Sequence, residues 1–106
     1  MRTWTIAAAR AVAVVAACGP ATGLAQDAML ARSLAATCAN CHGIDGNARG
    51  DMKPLAGVSV EKILAQLAEF RSGARPATVM HQIARGYTDD QLRLIAGYFA
   101  AQTPSK

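Results

Sequence analysis

The chain has 106 residues, of which 11 are Lys or Arg and 7 are Asp or Glu, and 52% of its residues are hydrophobic. This length fits one domain and excludes a multidomain enzyme. Without the two arginines of the first 25 residues, the balance is 9 basic to 7 acidic groups, or +2. A domain with so little charge, and no aromatic residues among its basic ones, does not fit nucleic-acid binding.

Residues 1–25 have the layout of a secretory signal peptide. A basic start is followed by a short run of mostly Ala and Val, and small residues lead to Ala25. The run is too short to span a membrane, which takes about 20 apolar residues. Cleavage after Ala25 would leave a single domain over residues 26–106, placed in the periplasm. A lipobox-like sequence at residues 15–18 offers an alternative, in which Cys18 is lipidated and anchors the protein to the membrane.

The first predicted helix of this domain covers residues 27–39, because Leu30, Leu34 and Cys38 recur every four residues beside small alanines. The remaining domain is short of core material, since it keeps only four aromatic residues and many of its apolar positions are Ala. Domains of this size often gain stability from a disulfide, a metal or a cofactor.

The segment Cys38-Ala39-Asn40-Cys41-His42 contains the C-x-x-C-H signature of covalent c-type haem attachment. Two thiols at this helical spacing match the two vinyl groups of haem, and the next residue offers an imidazole to the iron. A redox-active dithiol would require a βαβ context, and the sequence has no convincing strand. A zinc site would need a fourth ligand, for which only His81 is available.

Glycine and proline turn signals predict a loop over residues 43–59. Residues 60–72 follow as an amphipathic helix, which Gly73 and Pro76 end. Residues 78–85 form a short helical turn at most.

The last predicted helix covers residues 88–102 and has the strongest signals. Thr88 and Gln91 have the spacing of a capping box, and two aspartates follow Thr88 at the positive end of the helix dipole. Three amphipathic helices without strands indicate an all-α domain. A flat apolar haem would fill the interior that these helices leave open.

The sixth ligand of the haem iron decides the function, and four residues are candidates. Met29 is too close in sequence to the haem-binding motif to reach the opposite face of the haem. Met52 is within reach but is expected on the same side of the haem as His42. Met80 lies far along the chain, just before the last helix, and is favoured; His81 is its alternative, and an open position is another. Met and His together suit electron transfer, whereas an open position suits ligand binding or peroxide chemistry.

Residues 38–43 with Asp45-Gly46-Asn47 resemble the start of a small bacterial class I cytochrome c. Residues 70–76 also resemble that group. The stretch 78–88, with 96–99 and 102–103, is similar to the haem subunit of flavocytochrome c sulfide dehydrogenase. The resemblance covers most of residues 34–103.

This resemblance implies a small cytochrome c-like fold, with three main helices around one covalent haem c. It implies that Cys38 and Cys41 link the haem, that His42 and Met80 are the axial ligands of the iron, and that the carbonyl of Pro54 accepts a hydrogen bond from the ring of His42.

The family's first and last helices cross at small residues. Ala31 or Ala35 would therefore approach Gly97, with Tyr98 or Phe99 packed at the crossing. His81 stands where the family has a small residue, and we expect it to be a surface group.

The function implied is electron transfer without catalysis by this chain itself. An FAD-containing flavoprotein subunit would oxidise sulfide and pass electrons to the haem, which would pass them to a soluble acceptor. The described subunits often carry two haem domains, but this chain has one C-x-x-C-H. The alternatives are a free-standing periplasmic monohaem carrier and a ligand-binding haem domain.

Overall fold

The computed structural model describes residues 13–14 and 21–106. This part of the chain contains four helices and no strand: α1 (Ala21–His42), α2 (Val60–Ser72), α3 (Met80–Arg85) and α4 (Asp89–Ala100). The predicted all-α class is confirmed. Most of the predicted signal peptide lies outside the described residues.

Helix α1 is longer at both ends than the predicted 27–39. It begins at Ala21 and continues through the C-x-x-C-H motif to His42. No glycine or proline interrupts the sequence between residues 24 and 42. Gly43 then ends the helix with a φ of 86°, while its N–H still donates to the carbonyl of Ala39 at 3.0 Å. A left-handed residue of this kind commonly follows a helix.

Helix α2 has the predicted bounds. The hydroxyl of Ser59 accepts a hydrogen bond from the N–H of Lys62 at 3.3 Å, which caps the start of the helix. Gly73 closes the other end with a φ of 83°, and its N–H donates to the carbonyl of Phe70. The loop predicted over residues 43–59 is confirmed, since no helix or strand lies between α1 and α2.

Helices α3 and α4 follow without a strand between them. The six residues of α3 make it slightly more than the single turn that was predicted. The predicted capping box of α4 is confirmed. The N–H of Gln91 donates to the Thr88 hydroxyl at 3.2 Å, and the Gln91 side chain accepts from the N–H of Thr88 at 2.9 Å.

The core lies where α4 packs against α1 and α2, while α3 packs against α2. Four of the six residues in its central cluster come from α4, and the cluster consists of Ala35, Ile63, Leu92, Ile95, Ala96 and Phe99. Phe99 is the single large side chain that is fully buried in the described part of the chain. The expectation of a small core is therefore correct.

The expected close approach at Gly97 is wrong. A Cβ atom at Gly97 would meet nothing within 4 Å, so the backbone there has room. The buried small residues of α1 and α4 are Ala31, Ala35 and Ala96, which are 8%, 1% and 0% exposed. Phe99 packs in the same cluster, and its ring makes an edge-to-face contact with Tyr98 at 5.2 Å between centroids. The helix rotation thus turns Ala96 and Phe99 inward and leaves Gly97 to one side.

Candidate functional site

The C-x-x-C-H residues occupy the last turn of α1, where the helix brings both thiols and the imidazole to one end of the domain. Both cysteines are free. Cys38 is half-buried against the core cluster, whereas Cys41 is exposed. Burial raises the pKa of the Cys38 thiol. A reactive dithiol pair has a lowered thiol pKa, so the environment of Cys38 does not favour that alternative.

The ring of His42 is held by one hydrogen bond. Its Nδ1 lies 2.7 Å from the carbonyl oxygen of Lys53. A carbonyl oxygen can only accept, so Nδ1 carries the proton and donates it. The other ring nitrogen, Nε2, then has the free electron pair that a metal ion requires. This is the arrangement by which a second hydrogen bond fixes the tautomer and orientation of a metal-binding histidine.

The prediction that Pro54 supplies this acceptor is wrong by one residue. The oxygen belongs to Lys53, whose carbonyl carbon is bonded to the nitrogen of Pro54. Proline restricts the residue before it to extended conformations, so Pro54 limits the orientation of the Lys53 carbonyl. The proline therefore acts on the acceptor without supplying it.

Met80 is the first residue of α3 and is half-buried. Of the two other methionines proposed as candidates, Met29 is 73% exposed on α1, and Met52 is 42% exposed in the loop between α1 and α2. The principal contact of α3 is with α2, and that of α1 is with α4. The helices that carry the two candidate ligands, His42 and Met80, are therefore held in place by other helices.

His81 differs from the surface group that the sequence predicts. Its side chain is half-buried, and its Nδ1 atom is buried without a hydrogen-bond partner. Among the described residues that are not exposed, no other side-chain nitrogen or oxygen is in this situation. Buried polar atoms are normally paired, and an unpaired one calls for an explanation. An unpaired nitrogen beside Met80 fits the presence of a non-protein group at this position.

The residues present fit haem c. Two free thiols at the required spacing, an imidazole with Nε2 available and a half-buried thioether form its usual donor set. By contrast, the described residues contain no group of three His, Cys, Asp or Glu side chains that could hold a metal ion by themselves. The zinc alternative therefore has no support from the arrangement of these side chains.

Sequence reasoning missed two side chains that connect to the segment after the motif. The hydroxyl of Tyr98 lies 3.1 Å from Oδ1 of Asp45 and donates to it. Burial, followed by this hydrogen bond and the charge of Asp45, raises the pKa of Tyr98. Asn47 bonds to residues beyond α4. The partners in each pair are more than 50 residues apart in sequence, so no local pattern indicates either contact.

Residues 29–102 match the family model for cytochrome c. The chain therefore belongs to the cytochrome c family. The sequence contains one C-x-x-C-H motif, so this cytochrome c domain binds one covalent haem c. Within the described residues, no helix has the length and apolar character needed to cross a membrane.

One curated relative is the cytochrome subunit of sulfide dehydrogenase from Chlorobaculum tepidum, which is 44% identical over 62% of this chain and 60% of its own length. A solved structure of cytochrome c4 from Acidithiobacillus ferrooxidans superposes with a TM-score of 0.66 at 31% identity, over 71% of this chain and 49% of that one.

Thiosulfate dehydrogenase from Marichromatium purpuratum contains a similar fold, with a TM-score of 0.68 at 27% identity, over 74% of this chain and 19% of that one. The chain thus spans less than two thirds of each of these proteins. The small cytochrome c fold, all-helical with three main helices, is confirmed.

Proposed function

We propose that this chain is the cytochrome subunit of a flavocytochrome c sulfide dehydrogenase. Cys38 and Cys41 bind the haem covalently, and His42 and Met80 are its axial ligands. The 2.7 Å hydrogen bond that orients the His42 ring carries the site assignment. The similarity to the Chlorobaculum tepidum subunit supports the partner assignment.

When bound, the haem supplies a one-electron couple between ferric and ferrous iron. His42 presents Nε2 in a fixed orientation because its Nδ1–H is engaged by Lys53. The Met80 thioether would bind the iron, which would raise the reduction potential and leave no iron position for a substrate or inhibitor. A site with both ligands in place serves electron transfer and does no chemistry on sulfide.

In this assignment the chain lies between two partners. An FAD-containing flavoprotein subunit oxidises sulfide and passes electrons to the haem, and a soluble carrier accepts them. Removal of residues 1–25 leaves a net charge of +2 on the protein, which provides little long-range electrostatic attraction. Contacts at a fixed subunit interface would therefore determine the choice of flavoprotein.

Replacement of Met80 tests the axial assignment. In Met80→Ala holoprotein, we expect the methionine–iron charge-transfer band to disappear, the reduction potential to fall and cyanide to bind rapidly to the ferric form. Met52→Ala is the matched control, since Met52 is 42% exposed in the loop and should leave all three properties unchanged. If Met80→Ala keeps the band, the ligand assignment fails and the ligand-binding interpretation gains support.

Purification of the native protein at low salt tests the partner assignment. Flavin absorbance that co-elutes with the haem band, at the mass of a heterodimer, is the expected result. A haem protein that elutes alone at the mass of one chain would favour the second candidate, a free-standing monohaem carrier. The similarity to cytochrome c-554(548) of Halomonas halodenitrificans favours this candidate, since that protein is 32% identical over 74% of this chain and 99% of its own length.

The N-terminal assignment has its own test. We propose that the mature protein begins at Gln26 in the periplasm. Intact-mass spectrometry should then give the mass of residues 26–106 plus one haem. A lipid-modified chain that begins at Cys18 would overturn this proposal and place the protein on the membrane.

A further inference from the structure

The loop after α1 is closed at its base by two backbone hydrogen bonds. The carbonyl of Gly46 accepts from the N–H of Leu55 at 2.8 Å and from that of Ala56 at 3.1 Å. Residues 47–54 are therefore an excursion from a closed base. This excursion carries Lys53, whose carbonyl holds the ring of His42.

The amide of Asn47 joins this excursion to the chain beyond α4. Its Nδ2 donates to the carbonyl of Thr103 at 3.1 Å, and its Oδ1 accepts from the N–H of Ser105 at 2.6 Å. A carbonyl only accepts and an N–H only donates, so both contacts agree on the orientation of the amide. One side chain thus binds the backbone of residues 102–105 at two points.

Gly57 lies close to the same segment, just after the loop base. It has a φ of 71°, and a Cβ atom there would lie 2.8 Å from Cγ of Pro104. Its N–H donates to the carbonyl of Phe99 at 3.0 Å, next to the end of α4. Residues 102–105 therefore lie against the loop at the first residue of the excursion and again just after it.

We propose that Asn47 and residues 102–105 form a latch that holds the Lys53 carbonyl in place, and that Asn47 is thereby a positioning residue for His42. The inference rests on the proposed role of His42 as an iron ligand. Asn47 acts through the loop and not by contact with the haem.

The physical basis is the number of constraints on the excursion. Without the latch, residues 47–54 are fixed by the base at Gly46 and by the His42–Lys53 bond itself. Local opening then exposes the ring N–H of His42 to water more often. Weaker hydrogen bonding at Nδ1 also makes the imidazole a weaker donor to ferric iron, so the reduction potential should rise.

Hydrogen exchange in the reduced holoprotein tests the latch, with the ring proton of His42 followed by NMR. Asn47→Ala removes both side-chain hydrogen bonds, and Ser105→Pro removes the N–H that donates to Asn47. Ser105→Ala is the matched control, because it keeps that N–H. We expect ring-proton exchange to be about tenfold faster in Ser105→Pro, which loses one hydrogen bond, and at least as fast in Asn47→Ala, which loses two. Exchange in Ser105→Ala should be unchanged.

The backbone amide of Ala96, which lies inside α4 and whose side chain is fully buried, reports on global stability. Equal acceleration of this amide and the His42 ring proton would show a general loss of stability and overturn the latch. Unchanged ring exchange in Asn47→Ala and Ser105→Pro would overturn it as well. If wild-type His42 ring protons lack the large upfield shift of an axial ligand, the ligand assignment itself fails, and this separates the two proposals.

Discussion

Tyr98 is the side chain that connects the last helix to the segment behind the haem-attachment motif. Its hydroxyl donates to Asp45, and the ring packs edge-on against the buried Phe99. Tyr98 therefore joins the core to the loop that follows His42. Folding also raises the pKa of its phenol.

Substitution of Tyr98 with Phe should remove part of the pH dependence of protein stability at alkaline pH. The folded protein raises the pKa of Tyr98, so it favours the neutral phenol. This contribution to stability is present below the unfolded pKa of about 10 and is lost as the pH rises through the folded value. We expect the denaturation midpoint of wild type to decline more steeply above pH 10 than that of Tyr98→Phe.

At neutral pH, Tyr98→Phe should cost about 0.5–1 kcal/mol of unfolding free energy for the lost hydrogen bond. Tyr87→Phe is the control, since Tyr87 makes no side-chain hydrogen bond within the described part of the chain and packs at the edge of the core. Parallel alkaline declines in wild type and Tyr98→Phe would contradict the assignment.

At the scale of elements, α4 organises the domain. It contributes four of the six central core residues and contacts both α1 and α2. Its start is fixed by a reciprocal capping box between Thr88 and Gln91. The energetics of this cap should therefore be visible in the stability of the whole domain.

Replacement of Thr88 with Ala should lower the free energy of unfolding of the holoprotein by about 1 kcal/mol, because the N–H of Gln91 loses its acceptor. Chemical denaturation followed by far-UV circular dichroism measures this change. Thr78→Ala is the matched control, at an exposed position that precedes the short helix α3. Equal midpoints for the two variants would show that the cap does not limit stability.

At the scale of the whole molecule, the protein part of the core is small. Nine apolar residues are buried in the described chain, of which five are alanines. The burial of so little apolar surface offsets only part of the conformational entropy that folding removes. The covalent haem of this cytochrome must therefore contribute much of the stability.

A chain without covalent haem should fail to fold cooperatively. We expect Cys38→Ala/Cys41→Ala protein to lose most of its helical circular dichroism and its sharp thermal transition. Cys18→Ala tests the remaining cysteine and should leave the haem protein unchanged. A haem-free double variant with a cooperative transition like that of the holoprotein would contradict this prediction.

Features encoded by neighbouring residues could be read from the sequence. The bounds of α2, the capping box of α4, the loop over residues 43–59 and the C-x-x-C-H motif each depend on a few adjacent side chains. Their agreement with the structure follows from this locality, since turns, caps and helix faces are set by short-range sterics and hydrogen bonds. The all-α class and the haem followed from these local features and from the resemblance they support.

The tertiary structure alone decided which distant groups meet. It placed Lys53 rather than Pro54 against His42, turned Ala96 rather than Gly97 inward, and joined Asn47 to a segment more than 50 residues away. Each outcome depends on helix rotation or loop path, where a shift of one residue exchanges one side chain or carbonyl for its neighbour. Sequence patterns determine that such groups are available, whereas the packing of the complete chain selects the one that makes the contact.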